Sequence, residues 1–274
     1  MGSQTASHAQ LNLPTQEEAL FSKVTLRILP FLFICYVAAY LDRTNIGFVK
    51  AQMQADLGFS DLIYGLGAGI FFAGFFFFEV PSILMLARSG VRKTLLRIML
   101  CWGLISAAMM FVNSPTQFYV MRFLLGAAEA GFFPGVMLYL TYWFPASRRG
   151  RIIAIFFTAI AMTGVIGGPL SGWLMTSMHG VHGLSGWQWT FLVEGIPACV
   201  LGVVAYFYLD NKPQDATWLS QDEKALLVRL IEREQVGHGV GQSDKFTQAL
   251  RDPRVYAFAF AWFTYICGVY VISF

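Results

Sequence analysis

Six ionisable side chains interrupt stretches of this sequence that are otherwise apolar: Asp42, Arg43, Glu79, Arg122, Glu129 and Glu194. Charges at membrane depth are costly, and they usually face a partner or a polar cavity. Two arginine forks suit the binding of a carboxylate, and a partly buried carboxyl group can carry a proton. These residue types predict a site for a small organic anion that is coupled to protons.

The spacing of these residues predicts that the charges of two spans meet. Arg122 and Glu129 are separated by two helical turns and share one face, and Tyr40 shares the face of Arg43. With about 1.5 Å of rise per residue, Asp42 lies about 22 Å along an outward-running first span. In an inward-running fourth span, Arg122 and Glu129 lie about 6 Å and about 16 Å below the outer face. We therefore expect Asp42, Arg43, Arg122 and Glu129 to share one hollow.

A purely structural role is the alternative for these charges. Asp42 with Arg122, and Arg43 with Glu129, would then be ion pairs that fix the packing of helices. Glu79 is compatible with either role. Glu194, in the sixth span, is predicted to be structural.

Composition excludes a soluble enzyme and a disordered chain. Of the 274 residues, 56% are hydrophobic and only 13% are charged, and the mean hydropathy is +0.57. The charged fraction lies well below that of typical soluble domains, in which about 25% of residues are charged. The sequence predicts an all-α polytopic membrane protein, since a membrane-spanning helix needs about 20 apolar residues. The predicted spans are 27–49, 62–86, 95–112, 118–143, 152–178 and 189–209, with a seventh that begins near Val255 and continues to Phe274.

The distribution of positive charge predicts the orientation in the membrane. Of the 19 Lys and Arg residues, all but Arg43, Lys50 and Arg122 fall at one side of the predicted spans. The positive-inside rule then places that side, and the amino terminus, in the cytoplasm. The membrane itself is expected to be the bacterial inner membrane. The first 22 residues lack the cationic start of a signal peptide, so the first span is expected to stay in the mature protein.

The same pattern divides the chain into four predicted segments. These are a polar cytoplasmic tail (1–26), a six-span half (27–209), a cytoplasmic linker (210–254) and the start of a seventh span (255–274). In the linker, Ser220 and Glu223 form a capping box that opens an amphipathic helix. Gly237, Gly239 and Gly241 then predict a flexible link.

Two further patterns concern packing inside the membrane. Gly164, Gly168 and Gly172 form a stripe in the fifth span, which predicts close approach of a neighbouring helix or a bending point. The phenylalanine-rich run 71–78 is predicted to face lipid.

Several motifs together carry a resemblance to a known family. They read YLDRTNIGF at 40–48, RFLLGAAEAGFFPG at 122–135, YWFPASRRGR at 142–151, GPLSGWL at 168–174, GWQWTFLVEGIPA at 186–198 and DNKPQDATWLSQDEK at 210–224. The sequence resembles the amino-terminal half of a major facilitator superfamily transporter. Within that superfamily it resembles the anion:cation symporter family of organic-acid permeases, which carry tartrate, phthalate, galactonate, glucarate or hydroxyphenylacetate.

The resemblance implies alternating access and proton-driven uptake of a carboxylate, with a second six-helix half as partner. It implies substrate contacts at Arg43 and Arg122, and a proton-coupling pair in Asp42 and Glu129. Tyr40 is added to the predicted substrate contacts because it shares the face of Arg43. It implies no catalytic residue, cofactor, metal or nucleic acid.

The sequence departs from the superfamily pattern in two places. The gating loop after the second span keeps Arg88, Gly90 and Arg92, but Ala87 replaces the usual acid, which puts the inner-gate ion pair in doubt. The sequence also stops within the seventh span. This leaves open a truncated, non-transporting membrane protein. A proton-antiport efflux carrier also stays open, because the GPLSG stretch of the fifth span resembles the antiporter motif. A membrane enzyme is disfavoured, because no nucleophile–base pair or metal cluster is apparent.

Overall fold

The fold is a bundle of α-helices. The structure is a computed structural model that describes residues 3–237 and 252–273, and no β-strand occurs in those two ranges. The α-helices are α1 (Ser3–Leu57), α2 (Asp61–Ser89), α3 (Val91–Ala108), α4 (Pro115–Glu129), α5 (Phe132–Trp143), α6 (Ala146–Ser177), α7 (Gly186–Tyr208), α8 (Gln221–Gly237) and α9 (Pro253–Ser273).

Six helical segments are long and apolar enough to cross a membrane. They are Gln16–Leu57, Asp61–Leu86, Val91–Phe111, Pro115–Trp143, Ala146–Ser177 and Gly186–Tyr208. The predicted all-α, multi-pass fold is thereby confirmed. Helix α9 coincides with the predicted seventh apolar stretch, and its side chains at Phe258, Phe260 and Phe263 are exposed. The predicted boundaries at residues 26, 209 and 254 stay predictions, and α1 runs without interruption through the first of them.

The fourth span is two helices, and its prediction as a single helix was wrong. Helix α4 ends at Glu129, and α5 begins after Gly131. Between them, Ala130 has a ψ of 131°, which is outside the helical range. Gly131 has a φ of 89°, in the left-handed region that favours glycine. A Cβ atom at this position would also collide with the side chain of Ser82 on α2. The break therefore leaves Glu129 as the last residue of α4.

Helix pairing arranges the bundle around α1. Helix α1 packs against α6 and α7, α2 packs against α4, and α3 packs against α7. Glycine permits the closest approach of α3 and α7, because a Cβ atom at Gly103 would lie 2.7 Å from the carbonyl oxygen of Gly195. A Cβ atom at Gly195 would lie 2.8 Å from the carbonyl oxygen of Gly103. The pairing fixes which polar side chains of α1 face which neighbour.

The glycine stripe of α6 does not make the predicted close contact. Cβ atoms built at Gly164, Gly168 and Gly172 meet no atom within 4 Å among the residues that the structure describes. Gly167, beside the stripe, is the position where a Cβ atom would approach α1, at 3.0 Å from Leu41. Helix packing inside this bundle therefore uses other glycines, and the bending role of the stripe stays a prediction.

The basic end of the bundle, where α1 starts and α2 meets α3, holds the first part of the linker. The predicted capping box is present, because the backbone N–H of Glu223 donates to Ser220 Oγ and that of Ser220 donates to Glu223 Oε2. Lys23 pairs with Glu223 at 2.8 Å, and it holds the pKa of that carboxyl below its usual value. Trp218 stacks on Trp143 at a ring separation of 5.6 Å. Gly237, the first glycine of the predicted link, is still helical and is the last residue of α8, whereas Gly239 and Gly241 lie outside the described residues.

Candidate functional site

Arg43 and Glu129 form a buried ion pair between α1 and α4. Arg43 Nη2 lies 2.6 Å from Glu129 Oε2, and Arg43 Nε donates to the same oxygen at 3.2 Å. The side chain of Glu129 is 1% exposed and that of Arg43 is 17% exposed. The pair that the sequence offered as a structural alternative is therefore present. In this pair the carboxylate of Glu129 occupies the guanidinium group of Arg43.

Two arginines lie on one aromatic surface of α2. Arg122 Cζ is 4.7 Å from the ring centroid of Phe71, and Arg43 Cζ is 5.7 Å from the same ring. Arg43 also lies 5.1 Å from the ring of Phe75. Cation–π contact of this kind favours a guanidinium over the face of the ring. Phe71 thus holds the two cationic groups near each other.

The prediction that the whole 71–78 run faces lipid was wrong for part of it. Phe71 is 1% exposed, whereas Phe76 and Phe77 are 73% and 65% exposed. A signal for this difference is present in the sequence. Gly67, Phe71, Phe75 and Glu79 recur every four residues and therefore share one helix face, and that face meets the arginines.

Arg122 is fully buried and only partly satisfied. Its Nε donates to the carbonyl oxygen of Gly67 at 3.3 Å, while Nη1 and Nη2 have no hydrogen-bond partner among the residues that the structure describes. A buried charge is costly unless it is paired and hydrogen-bonded. Glu129 and Asp42 interact with Arg122 electrostatically without bonding to it. The terminal nitrogens of Arg122 are thus donors suited to an anion.

We define the arginine cluster as Arg43, Arg122, Glu129, Phe71 and Phe75. It unites three of the four charges that the sequence assigned to one hollow. The fourth, Asp42, is turned to another side of α1, because successive residues of a helix differ by about 100° in direction.

Asp42 bonds to neutral side chains, and the predicted Asp42–Arg122 pair is not formed. Ser106 Oγ on α3 donates a short hydrogen bond to Asp42 Oδ1, and Asn45 Nδ2 donates to the same oxygen at 3.2 Å. Asp42, Asn45 and Ser106 are all fully buried. Asp42 still interacts electrostatically with Glu129 and Arg122. It therefore lies near the arginine cluster without belonging to it.

Glu194 lies beside this second group of polar side chains. Ser171 Oγ on α6 donates to Glu194 Oε1 at 2.8 Å, and Asn45 lies next to the Glu194 carboxyl. Glu194 is 4% exposed. We define the carboxyl cluster as Asp42, Asn45, Ser106, Ser171 and Glu194. Sequence reasoning did not include Asn45 in any site, although it lies three residues after Asp42 and shares its face.

Tyr40 is half-buried, and its ring lies 5.9 Å from that of Tyr36 in an edge-on arrangement. This places Tyr40 on α1 one turn before Arg43. Its part in substrate binding stays a prediction.

The predicted gating loop is attached to the end of α7. Gly90 joins α2 to α3 with a φ of 79°, and Asn211 packs against it. The backbone N–H of Arg92 donates to Asn211 Oδ1, and Arg92 Nε donates to the Tyr206 carbonyl oxygen at 2.7 Å. Arg88 is exposed. Contacts from Tyr206 in α7 and from Asn211, three residues after the end of α7, therefore hold the loop, in which Ala87 stands for the usual acid.

Two surface grooves lie away from both clusters. One, of about 470 Å³, is lined by Asp56, Asn113 and Trp187 at the end of the bundle opposite the basic end. The other, of about 420 Å³, lies along α8 beside Lys224 and Glu232. In the arginine cluster, Arg43 and Glu129 instead meet by direct contact.

A bundle of this kind, with paired charges between its membrane-crossing helices, defines a multi-pass integral membrane protein. The sequence profile of the Major Facilitator Superfamily matches residues 32–274. The chain therefore belongs to this superfamily, which is a family of transporters and not of enzymes.

Curated relatives share this assignment. A protein of Agrobacterium vitis whose name assigns it to tartrate transport is 50% identical over 94% of the chain and 59% of its own length. The metabolite transport protein NicT of Pseudomonas putida is 56% identical over 81% of the chain and 51% of its own length. A quinolone resistance transporter of Acinetobacter baumannii is 40% identical over 94% and 59%. The chain thus spans about half the length of these relatives.

The fold also matches solved structures. A bacterial homologue of the human lysosomal transporter Spinster, in an inward-facing and unoccupied conformation, superposes with a TM-score of 0.60. It is 20% identical, and the match covers 75% of this chain and 47% of that one. The likeness concerns the fold alone.

Proposed function

We propose that this chain provides the anion-binding half of a secondary transporter, which takes up a small organic carboxylate together with protons by alternating access. One observation carries the proposal. Arg122 is fully buried, and within the described part of the chain both of its terminal nitrogens lack a hydrogen-bond partner. A carboxylate would supply the two acceptors that an arginine fork matches.

The ion pair of Arg43 with Glu129 supplies a coupling step. While Glu129 is ionised, it occupies Arg43 through two hydrogen bonds to one oxygen. A proton that binds Glu129 removes the negative charge, and Arg43 is then available to a substrate carboxylate. Both guanidinium groups already lie on the ring of Phe71, so the anion would meet two cations at one place.

The remaining assignments extend this scheme. Tyr40 lines the substrate path, and Asp42 acts with Glu129 in proton coupling. Arg88, Gly90 and Arg92 belong to the gate at the basic end. That end faces the cytoplasm of a bacterial inner membrane, and the partner of this half is a second six-helix half.

Transport by the full-length gene product in proteoliposomes tests the proposal. With a pH gradient that is alkaline inside, we expect the wild type to accumulate radiolabelled tartrate. We expect Glu129→Gln to retain exchange of labelled for unlabelled tartrate but to lose accumulation driven by the gradient, because residue 129 no longer binds and releases a proton. The control, Glu232→Gln on the surface of α8, should match the wild type.

Two results would contradict the proposal. Full gradient-driven accumulation in Glu129→Gln would remove Glu129 from the coupling step. Absence of tartrate binding and of exchange for any related carboxylate in the wild type would remove the anion site itself.

A second function, efflux by proton antiport, is favoured by one observation. A relative that is 40% identical over most of the chain is named for quinolone resistance. Vesicles loaded with substrate separate the two functions. Outward substrate flow carries protons out of the vesicle in symport, whereas it brings protons in during antiport.

A further inference from the structure

The carboxyl cluster joins four helices through side chains that carry no positive charge. Asp42 and Asn45 come from α1, Ser106 from α3, Ser171 from α6 and Glu194 from α7. All five are at most 4% exposed. Asn45 connects the two acids, because it donates to Asp42 and lies next to Glu194. The proposed function above gives no part to Glu194 or Asn45.

Three oxygen atoms of this cluster have no hydrogen-bond partner in residues 3–237 and 252–273. They are Asp42 Oδ2, Asn45 Oδ1 and Glu194 Oε2. The donors present, Ser106, Asn45 and Ser171, satisfy the other carboxyl oxygen of each acid. Buried polar atoms are nearly always paired, so three unpaired acceptors in one cluster indicate that a donor or cation belongs there.

Acidic groups outnumber cationic groups around the carboxyl cluster. The groups that face Asp42 are Glu129 and Arg122 on α4 and Glu194 and Cys199 on α7. Arg122 is the one cation among them, and it forms no hydrogen bond with either acid. Two ionised carboxylates in a buried site repel each other, and a proton on one of them removes the repulsion.

We propose that Asp42, Asn45 and Glu194 form a site for one monovalent cation, which is a proton shared by the two carboxyl groups. A proton from water binds a carboxylate oxygen and gives a neutral carboxylic acid, whose O–H can then donate to one of the unpaired acceptors. Asn45 is a positioning residue that holds the acids together. This inference rests on the proposed function for its role in transport, and it makes Glu194 a second proton-binding group beside Asp42.

A proton fits this site better than a metal ion does. Hard metal cations such as Ca²⁺ and Mg²⁺ take about six or more oxygen ligands. The cluster offers three unpaired oxygens, and its two hydroxyl groups already donate to the acids. A proton needs one oxygen to bind and one acceptor for its hydrogen bond.

Infrared spectroscopy of the substrate-free, full-length gene product tests the site directly. At neutral pH, the spectrum of the wild type minus that of Asp42→Asn/Glu194→Gln should contain the carbonyl-stretch band of one protonated carboxylic acid. Each single variant should remove or displace this band. The control Thr190→Val should leave it unchanged, because Thr190 is buried one turn before Glu194 and bonds to its own helix, at the Gly186 carbonyl.

Other outcomes overturn the proposal. Retention of the full band in the double variant would place the proton elsewhere. Loss of the wild-type band when sodium replaces potassium at constant pH would show that a metal ion competes for the site. If the double variant fails to fold, Ser171→Ala serves instead, because loss of the hydroxyl bonded to Glu194 must displace the band if the proton is there.

Binding measurements separate failure of this site from failure of the proposed function. Tartrate binding by calorimetry should persist in Glu194→Gln, while its dependence on pH should weaken relative to the wild type. A wild type with the carboxylic-acid band but no carboxylate binding would refute the proposed function alone. Carboxylate binding together with an unchanged band in the double variant would refute the shared-proton site alone.

Discussion

The arginine cluster and the carboxyl cluster begin at adjacent residues of α1, yet they differ in charge and in partners. Arg43 faces α2 and α4, where it meets Glu129 and an aromatic ring. Asp42 faces α3, where Ser106 bonds to it, and lies beside α7. The first cluster has an excess of guanidinium groups, and the second has two acids bonded to neutral donors. A helix thus divides one acid–base dipeptide between the proposed anion site and the proposed proton site.

Replacement of Arg122 should have the largest effect and should divide the two clusters most sharply. Arg122→Gln removes a buried cation with two unpaired nitrogens. Hydrogen bonds to charged groups contribute about 1.5–3 kcal/mol, so we expect tartrate affinity to fall by about 10- to 100-fold. Calorimetry of the full-length gene product measures this change. The infrared band of the carboxyl cluster should stay in place.

Arg122→Lys provides the matched variant for this experiment. It keeps the charge but loses the planar fork, so its affinity should lie between those of Arg122→Gln and the wild type. Wild-type affinity in Arg122→Gln would show that Arg122 serves packing alone, as the structural alternative holds.

Replacement of Phe71 should have a smaller effect on the arginine cluster. Phe71→Leu keeps an apolar side chain but removes the ring face under both guanidinium groups. Cation–π contacts contribute about 0.5–2 kcal/mol, so tartrate affinity should fall by about 2- to 30-fold. Phe76→Leu is the control from the same run, because Phe76 is largely exposed. Equal effects of the two substitutions on affinity would contradict the role of the ring.

The exposed ion pair at the basic end should give the smallest effect. Lys23 lowers the pKa of Glu223, so the pair stabilises the folded state at neutral pH and this contribution disappears as pH falls through that lowered pKa. Because both side chains are partly exposed, the contribution should be about 0.2–1 kcal/mol. We expect Glu223→Gln to lower the thermal unfolding midpoint slightly at neutral pH. A lowering of the same size at acidic pH would contradict an electrostatic origin.

Sequence patterns predicted much of the fold and part of the site. Apolar length predicted six crossing helices, and the Ser220–Glu223 spacing predicted a capping box that is present. The depths of Arg43 and Glu129 along their spans predicted that the two residues meet, and they form an ion pair. These predictions succeeded because they depend on helical geometry and on the cost of placing charge in lipid. Both follow from the order of residues within each span.

The predictions that failed all required knowledge of which neighbour a helix faces. At the break, Gly131 lies so close to Ser82 of α2 that a Cβ atom would collide with it, a contact that the local sequence does not reveal. Phe71 is distinguished from Phe76 by the position of α4 and its arginine. The stripe at Gly164, Gly168 and Gly172 has the spacing of a packing motif, but it meets open space among the described residues.

The sequence by itself determined that this protein crosses a membrane several times and carries costly charges within its first, second, fourth and sixth spans. The order of residues also determines which side chains lie together on each face of a helix. Only the tertiary structure decided that Asp42 bonds to Ser106 and Asn45, beside Glu194, and does not pair with Arg122. The physical reason is that a side chain's direction follows from its own helix, whereas its partner depends on the packing of helices that are distant in the chain.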